Sequence, residues 1–256
     1  MPLTRRRFTS LASAAAATSL SCNAPAPPAP PAPRLQHRPL ATLPQTTLSW
    51  LSLRDHFVAT VGARAGTGRP LGSLLVLADA TFAAGSRFPL HPHQEMEILS
   101  IVVDGTLSHH GDQAHGAVVP ARQAQLISAR SGMVHAEGND TATPVRMLQL
   151  WFQPDARGGA PAYFSTSWPT RGRHVIASGT GEGMPLRCAA RVEWIDLDER
   201  SEQLTIAAGR AGYLLALTTT LELGALRVAP GEGVVVDSGV IEVRAAAAGA
   251  VLFIEV

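Results

Sequence analysis

Two short segments carry the residues best able to do chemistry. The first is Phe88-Pro89-Leu90-His91-Pro92-His93-Gln94-Glu95-Met96-Glu97; the second is Gly132-Met133-Val134-His135-Ala136-Glu137. On a strand, residues i and i+2 project to the same face. His91 and His93 therefore point together, and so do His135 and Glu137. On facing strands of a small barrel, the two pairs would bring three imidazoles and one carboxylate around a single ion. That donor set suits a borderline divalent metal such as Fe, Mn, Co, Ni, Cu or Zn. An octahedral ion would keep two positions open, enough for a substrate oxygen and dioxygen together. An isolated H-x-H is usually an ordinary surface or core pair. The second pair, at a separation suited to a return strand and in a β-rich setting, makes a metal site the better explanation.

Such pairs need strands, and the chain supplies them. From Ser73 onward, short apolar runs alternate with Gly, Pro, Asp and Asn. Leu74–Leu77, Ile98–Val103, Leu126–Ile127, Met147–Phe152, Tyr213–Leu217, Gly233–Val236 and Val251–Ile254 have strand length and β-branched content. Asp104-Gly105 reads as a tight turn. A Gly/Pro/Arg-rich stretch over about 155–190 divides the body, with β-type runs on both sides. The 256 residues are 46% hydrophobic, enough for a sizeable core, and only 16% charged, with a formal net charge of +1. No clustered positive charge argues for nucleic acid. Two cysteines give no disulfide framework, and Cys188 reads as a small core hydrophobe.

Gly85, His91-x-His93, Glu97 and Gly105 resemble a first cupin motif, and Gly132, His135 and Asn139 the end of a second. More narrowly, Phe88 to Gly105, Ser128 to Glu137 and Leu148-Gln149-Leu150-Trp151-Phe152 are similar to the pirin family. The likeness covers about residues 48–256 and weakens toward 191–256. It implies an all-β fold of two stacked cupin jelly-roll barrels, with residues 41–160 as the metal-binding cupin and 161–256 as a degenerate one. The second is expected to pack on the first and cover the metal pocket.

The family's ligand positions fall on His91, His93, His135 and Glu137. Glu97, a ligand position in many other cupins, becomes a close neighbour of the site. His109 and His110 are taken as surface or strand polar residues. His37, His56, His115 and His174 are taken as solvent-facing, and Glu193, Trp194, Asp196 and Asp198 as a solvated strand edge. Arg122 and Arg130 stand where pirins usually have Gly, which implies changed turns, because Gly there normally supplies a positive φ.

The activity implied by the resemblance is a quercetin 2,3-dioxygenase type of reaction on a phenolic substrate with O2, releasing carbon monoxide. Glu137 would serve as ligand and base, and Phe88 and Met96 would be pocket walls. The alternatives are a non-catalytic metal-binding, redox-responsive or partner-binding protein, and a cupin enzyme acting on another small molecule, since cupins share a scaffold and not a chemistry.

Residues 1–23 look like an address. Thr4-Arg5-Arg6-Arg7-Phe8 precedes a short Ala-rich apolar run, similar to a twin-arginine export signal. The expectation is an exported, periplasmic protein that meets the export machinery; unimpaired export after replacing Arg5 and Arg6 together would refute it. Ser19-Leu20-Ser21-Cys22 resembles a lipoprotein box, so Cys22 is a candidate lipid anchor and the only membrane contact expected. An Ala/Pro-rich linker over 24–40 follows, extended and semi-rigid, and with the signal it forms a disordered N-terminus.

Overall fold

The computed structural model describes residues 32–59 and 68–256. The expected export signal, Cys22 and the first part of the linker lie outside the described residues. Among those described there is no α-helix, only a 3-10 turn at Leu40–Thr42 and twenty strands. The chain enters on β1 (Leu35–Arg38), β2 (Gln45–Thr47), β3 (Leu51–Val58) and β4 (Leu74–Phe82). Next come β5 (His91–His93), β6 (Glu97–Asp104), β7 (Thr106–Gly111) and β8 (Val118–Pro120). β9 (Gln123–Ser128), β10 (Met133–Gly138), β11 (Val145–Phe152) and β12 (Ala162–Ser167) follow. The remainder is β13 (Arg173–Ser178), β14 (Met184–Pro185), β15 (Arg191–Leu197), β16 (Ser201–Ala216), β17 (Leu221–Leu223), β18 (Leu226–Val228), β19 (Gly233–Ala245) and β20 (Gly249–Glu255).

These strands make three sheets. A seven-stranded sheet runs β12-β9-β6-β11-β4-β3-β2, and a four-stranded sheet runs β5-β10-β7-β8. The two close on one another: Phe82, Val102 and Met147 from the first pack with Leu107 and Val119 from the second. The third sheet runs β14-β13-β15-β20-β16-β19-β17-β18, with β1 paired to β19. Its own core holds Ile206, Leu214, Val234, Val243 and Phe253.

The continuous apolar runs follow from burial on both faces. In β6, Ile98, Ser100 and Val102 face the inside of the first barrel, while Leu99 and Ile101 face the second half. In β20, Val251 and Phe253 face the second core, while Leu252 and Ile254 face the first half. A large cluster thus lies between the halves, joining Leu99, Leu148 and Phe152 to Trp194, Leu215 and Leu252. The second half packs on the outer face of the seven-stranded sheet. It does not cover the metal pocket, contrary to expectation, because the cavity opens between sheet edges of the first half alone.

Asp104-Gly105 is the tight turn from β6 to β7, with Gly105 at φ 77 and an added Cβ only 2.6 Å from the Pro144 carbonyl oxygen. At the turns of Arg122 and Arg130 the arginines themselves adopt positive φ, 60 and 45. Such backbone costs an L-residue about 1–2 kcal/mol. The guanidinium groups offset it. Arg122 forms a fork on Asp196 at 2.8–3.0 Å and donates to the carbonyls of Trp168 and Thr170. Arg130 donates to Ser128 Oγ and the Ala160 carbonyl.

The segment read as a solvated strand edge is also corrected. β15 lies between β13 and β20. Glu193 is fully buried with Arg173 at 2.7 Å and Arg191 at 2.6 Å, and Trp194 is buried. Asp196 accepts from Arg122, the Gly172 amide and the Trp194 indole, which together hold its carboxyl below the usual range against the opposing effect of burial. Only Asp198 is exposed. His56 is likewise not solvent-facing: it is fully buried, with Nδ1 2.7 Å from the Tyr213 hydroxyl across the junction of the halves.

Candidate metal centre

The inner face of the four-stranded sheet carries the cluster. β5 pairs with β10 so that His91 lies opposite His135, and β10 pairs with β7 so that Glu137 lies opposite His109. Strand alternation then turns His91, His93 and His135 to one side. Their ring centroids are 4.7–5.0 Å apart, and one nitrogen from each lies within 4.8 Å of the others. His91 donates its Nδ1 hydrogen to the Pro89 carbonyl at 2.8 Å, which leaves the Nε2 lone pair inward. His135 is fully buried, and neither ring nitrogen has a hydrogen-bond partner among the described residues.

Burial, followed by the neighbouring imidazoles, holds His93 and His135 down to about 3, so both rings are neutral at ordinary pH. Three imidazoles with converging lone pairs and no donor opposite them fit a divalent cation. His91 and His93 are half-buried, whereas His135 is fully buried with both nitrogens unpartnered, which is costly unless a cation takes its lone pair.

Glu137 is inward and buried, but the structure sets it beside this trio in a polar clasp. Gln125, Ser100 and Gln149 form a row across β9, β6 and β11, with Ser100 opposite both glutamines in register. Ser100 Oγ and Gln125 Nε2 each donate to Glu137 Oε1 at 2.5 Å, and Gln149 Nε2 donates to Oε2. Tyr163 donates to Gln125 Oε1 at 2.9 Å, extending the chain of bonds. Burial and then the Glu137 charge push that phenol up to about 12, so it stays a donor.

Glu97 does not border the site. Counting by twos from His93 would place it with the histidines, but Glu95 adopts φ 50 and breaks the phase. β6 therefore starts with Glu97 on the outer face, where it is buried and accepts from Ser128 Oγ at 2.6 Å. Burial raises its carboxyl. Conversely, His109 is no surface residue. It is fully buried, with its ring centroid 5.4 Å from His135 and 5.4 Å from Tyr163, and it donates Nε2–H to the Gln113 carbonyl at 3.1 Å. His110 points the other way and pairs with Asp140 at 2.7 Å.

A cavity of about 450 Å³ reaches His91 from the gap between β2 and the segment before β5. Phe88 lines it, as do Gln149 and Trp151. Met96 is not on its wall; it is buried with Ile98, Ile127 and Met133. The clasp residues were missed by sequence reasoning, although a lone Ser in Ile98–Val103 and a lone Gln in Leu148-Gln149-Leu150 were visible as polar interruptions of apolar strands.

Fold and cluster together define a double-barrel, cupin-type protein with a histidine-lined first barrel. Residues 39–152 match the pirin family model. A pirin-like protein of Caulobacter vibrioides is 31% identical over 82% of this chain and 94% of its own length. A Pseudomonas aeruginosa protein named provisionally as a quercetin 2,3-dioxygenase is 32% identical over 87% of this chain and 99% of its own. The chain belongs to the pirin family. The crystal structure of a nickel(II)-bound bacterial pirin from Escherichia coli superposes with a TM-score of 0.79 at 22% identity, covering 87% of this chain and 99% of that one.

Proposed function

We propose that this pirin is a metal-dependent dioxygenase of the quercetin 2,3-dioxygenase type, acting on a phenol or enol with O2. The observation that carries this reading is the imidazole trio opening, through His91, onto an apolar cavity large enough for a small aromatic molecule. The pirin relatives bearing the quercetin 2,3-dioxygenase name, one of them from Escherichia coli at 27% identity, support it. His91, His93 and His135 would hold one divalent metal, with Glu137 as the fourth ligand. The nickel-bound relative supports a divalent ion, and Fe(II) is our first choice. When bound, the metal supplies Lewis-acid stabilisation of an enolate or phenolate oxygen.

The protein's own groups have separate tasks. Cavity walls orient the flat ligand and keep water from it. Ser100, Gln125 and Gln149 fix the Glu137 carboxylate. Glu137 Oε2, which has a single donor, takes the hydroxyl proton of the ligand as Gln149 turns aside. Glu137→Gln should therefore lower oxygen uptake with a flavonol by about 100-fold or more while the fold is kept. Oxygen-electrode traces with quercetin check this, and full turnover in that variant would remove Glu137 from the proton step.

A further inference from the structure

The cavity wall is more selective than the proposed reaction requires. Val76, Ala78 and Ala80 occupy successive inward positions of β4, opposite Trp151, Gln149 and Met147 of β11. Leu53 of β3 stands beside Ala80 in register. Among the lining side chains, only Thr46, His91, Gln149 and Trp151 carry polar atoms. Thr46 is exposed at the mouth. His91 Nδ1 is committed to Pro89, and Gln149 Nε2 to Glu137. Between that polar end and the mouth, Leu51, Leu53, Ala78, Ala80, Phe88 and Met147 present no side-chain donor or acceptor. The two adjacent alanines leave the room that larger inward residues would fill.

On the footing of the dioxygenase reading, we infer that the cavity selects a flat enol or phenol with its polar oxygens at one end. The rest of its body is bare of hydroxyls, and Ala78, Ala80 and Leu53 are the residues that set this specificity. A hydroxyl carried on the body would be stripped of water beside Leu53 and Met147 with nothing to bond, and such a group is expensive to bury. The preferred substrate is thus a sparsely hydroxylated aromatic enol rather than a polyhydroxylated flavonol.

The test is calorimetric titration of the full-length, metal-loaded protein without oxygen, using 3-hydroxyflavone and myricetin, which share the enol head and differ in ring hydroxyls. The expected result is 3-hydroxyflavone binding at least about tenfold tighter. Leu53→Ser, which offers the body a hydroxyl, should shrink that ratio at least about threefold. Ala80→Leu should weaken 3-hydroxyflavone at least about tenfold with metal content retained; if it does not fold, Leu53→Ser decides alone. Equal or tighter binding of myricetin, or a ratio untouched by Leu53→Ser, overturns the inference. Failure of the metal-centred reading looks different: His91→Ala/His93→Ala would then bind both compounds as the native protein does, with the ratio intact.

Discussion

The two barrels use the same strand alternation to opposite ends. Inward positions of the first hold His91, His93, His109, His135 and Glu137, with Ser100, Gln125 and Gln149 to clasp the carboxylate. Inward positions of the second hold Ile206, Leu214, Val234, Val236, Val243 and Phe253, closely packed. One interior is polar, partly hollow and suited to an ion; the other is a filled core. The second barrel's contribution is therefore mechanical. It buries the outer face of the sheet whose inner face carries the clasp, so the site is held from behind by apolar packing.

This division can be broken at three depths. The largest effect is expected in the second core, where Phe253 is 1% exposed. Phe253→Ala should cost about 3–5 kcal/mol in urea unfolding while the folded fraction keeps its full metal content. Loss of metal from still-folded protein would show that the two interiors are coupled more tightly than their separate cores suggest.

Next is the junction histidine. Burial first, then the charges of Arg38, Arg54 and Arg146 against Asp79, hold His56 at about 4, below the 6.5 of a free imidazole. Below 6.5 the unfolded chain takes up a proton that the folded chain refuses. The stabilisation is complete above pH 6.5 and is lost as pH falls to about 4, and it amounts to roughly 3 kcal/mol. In metal-free protein, His56→Asn should show a smaller drop in urea midpoint from pH 7 to pH 4.5 than the native chain. An equal drop in both would remove His56 from the acid response.

The smallest effect is expected at the Arg122 fork. Arg122→Ala leaves Asp196 with only the Gly172 amide and the Trp194 indole and should cost about 2 kcal/mol. Metal content should stay unchanged, since the fork lies on the far side of the seven-stranded sheet from the clasp. Thermal unfolding beside elemental analysis checks both halves of that statement.

The legible and illegible parts differ for physical reasons. His91-x-His93 and His135-x-Glu137 could be read because a period of two needs no knowledge of the partner strand. His109 could not, since adjacent histidines put one ring in and one out, and only the pairing of β7 with β10 decides which. Glu97 went astray for a different reason: it was placed by its likeness to a cupin ligand position, and the left-handed backbone at Glu95 precedes a strand that turns it to the outer face. Glu193 and Asp196 looked solvated because the strands that bury them, and their partners Arg173 and Arg122, come from elsewhere in the sequence; Arg191, two residues from Glu193, was the one partner in view. The arginines at the two glycine positions were legible as departures, but their long-range hydrogen bonds were not.

The most direct measurement is metal content by elemental analysis of the native protein, beside His91→Ala/His93→Ala and His135→Ala. The native protein should carry about one equivalent of a divalent transition metal, and both variants should lose it while keeping their β-sheet circular dichroism. A native protein that stays metal-free after reconstitution, or variants that keep their metal, would contradict the assignment of the imidazole trio as a metal centre.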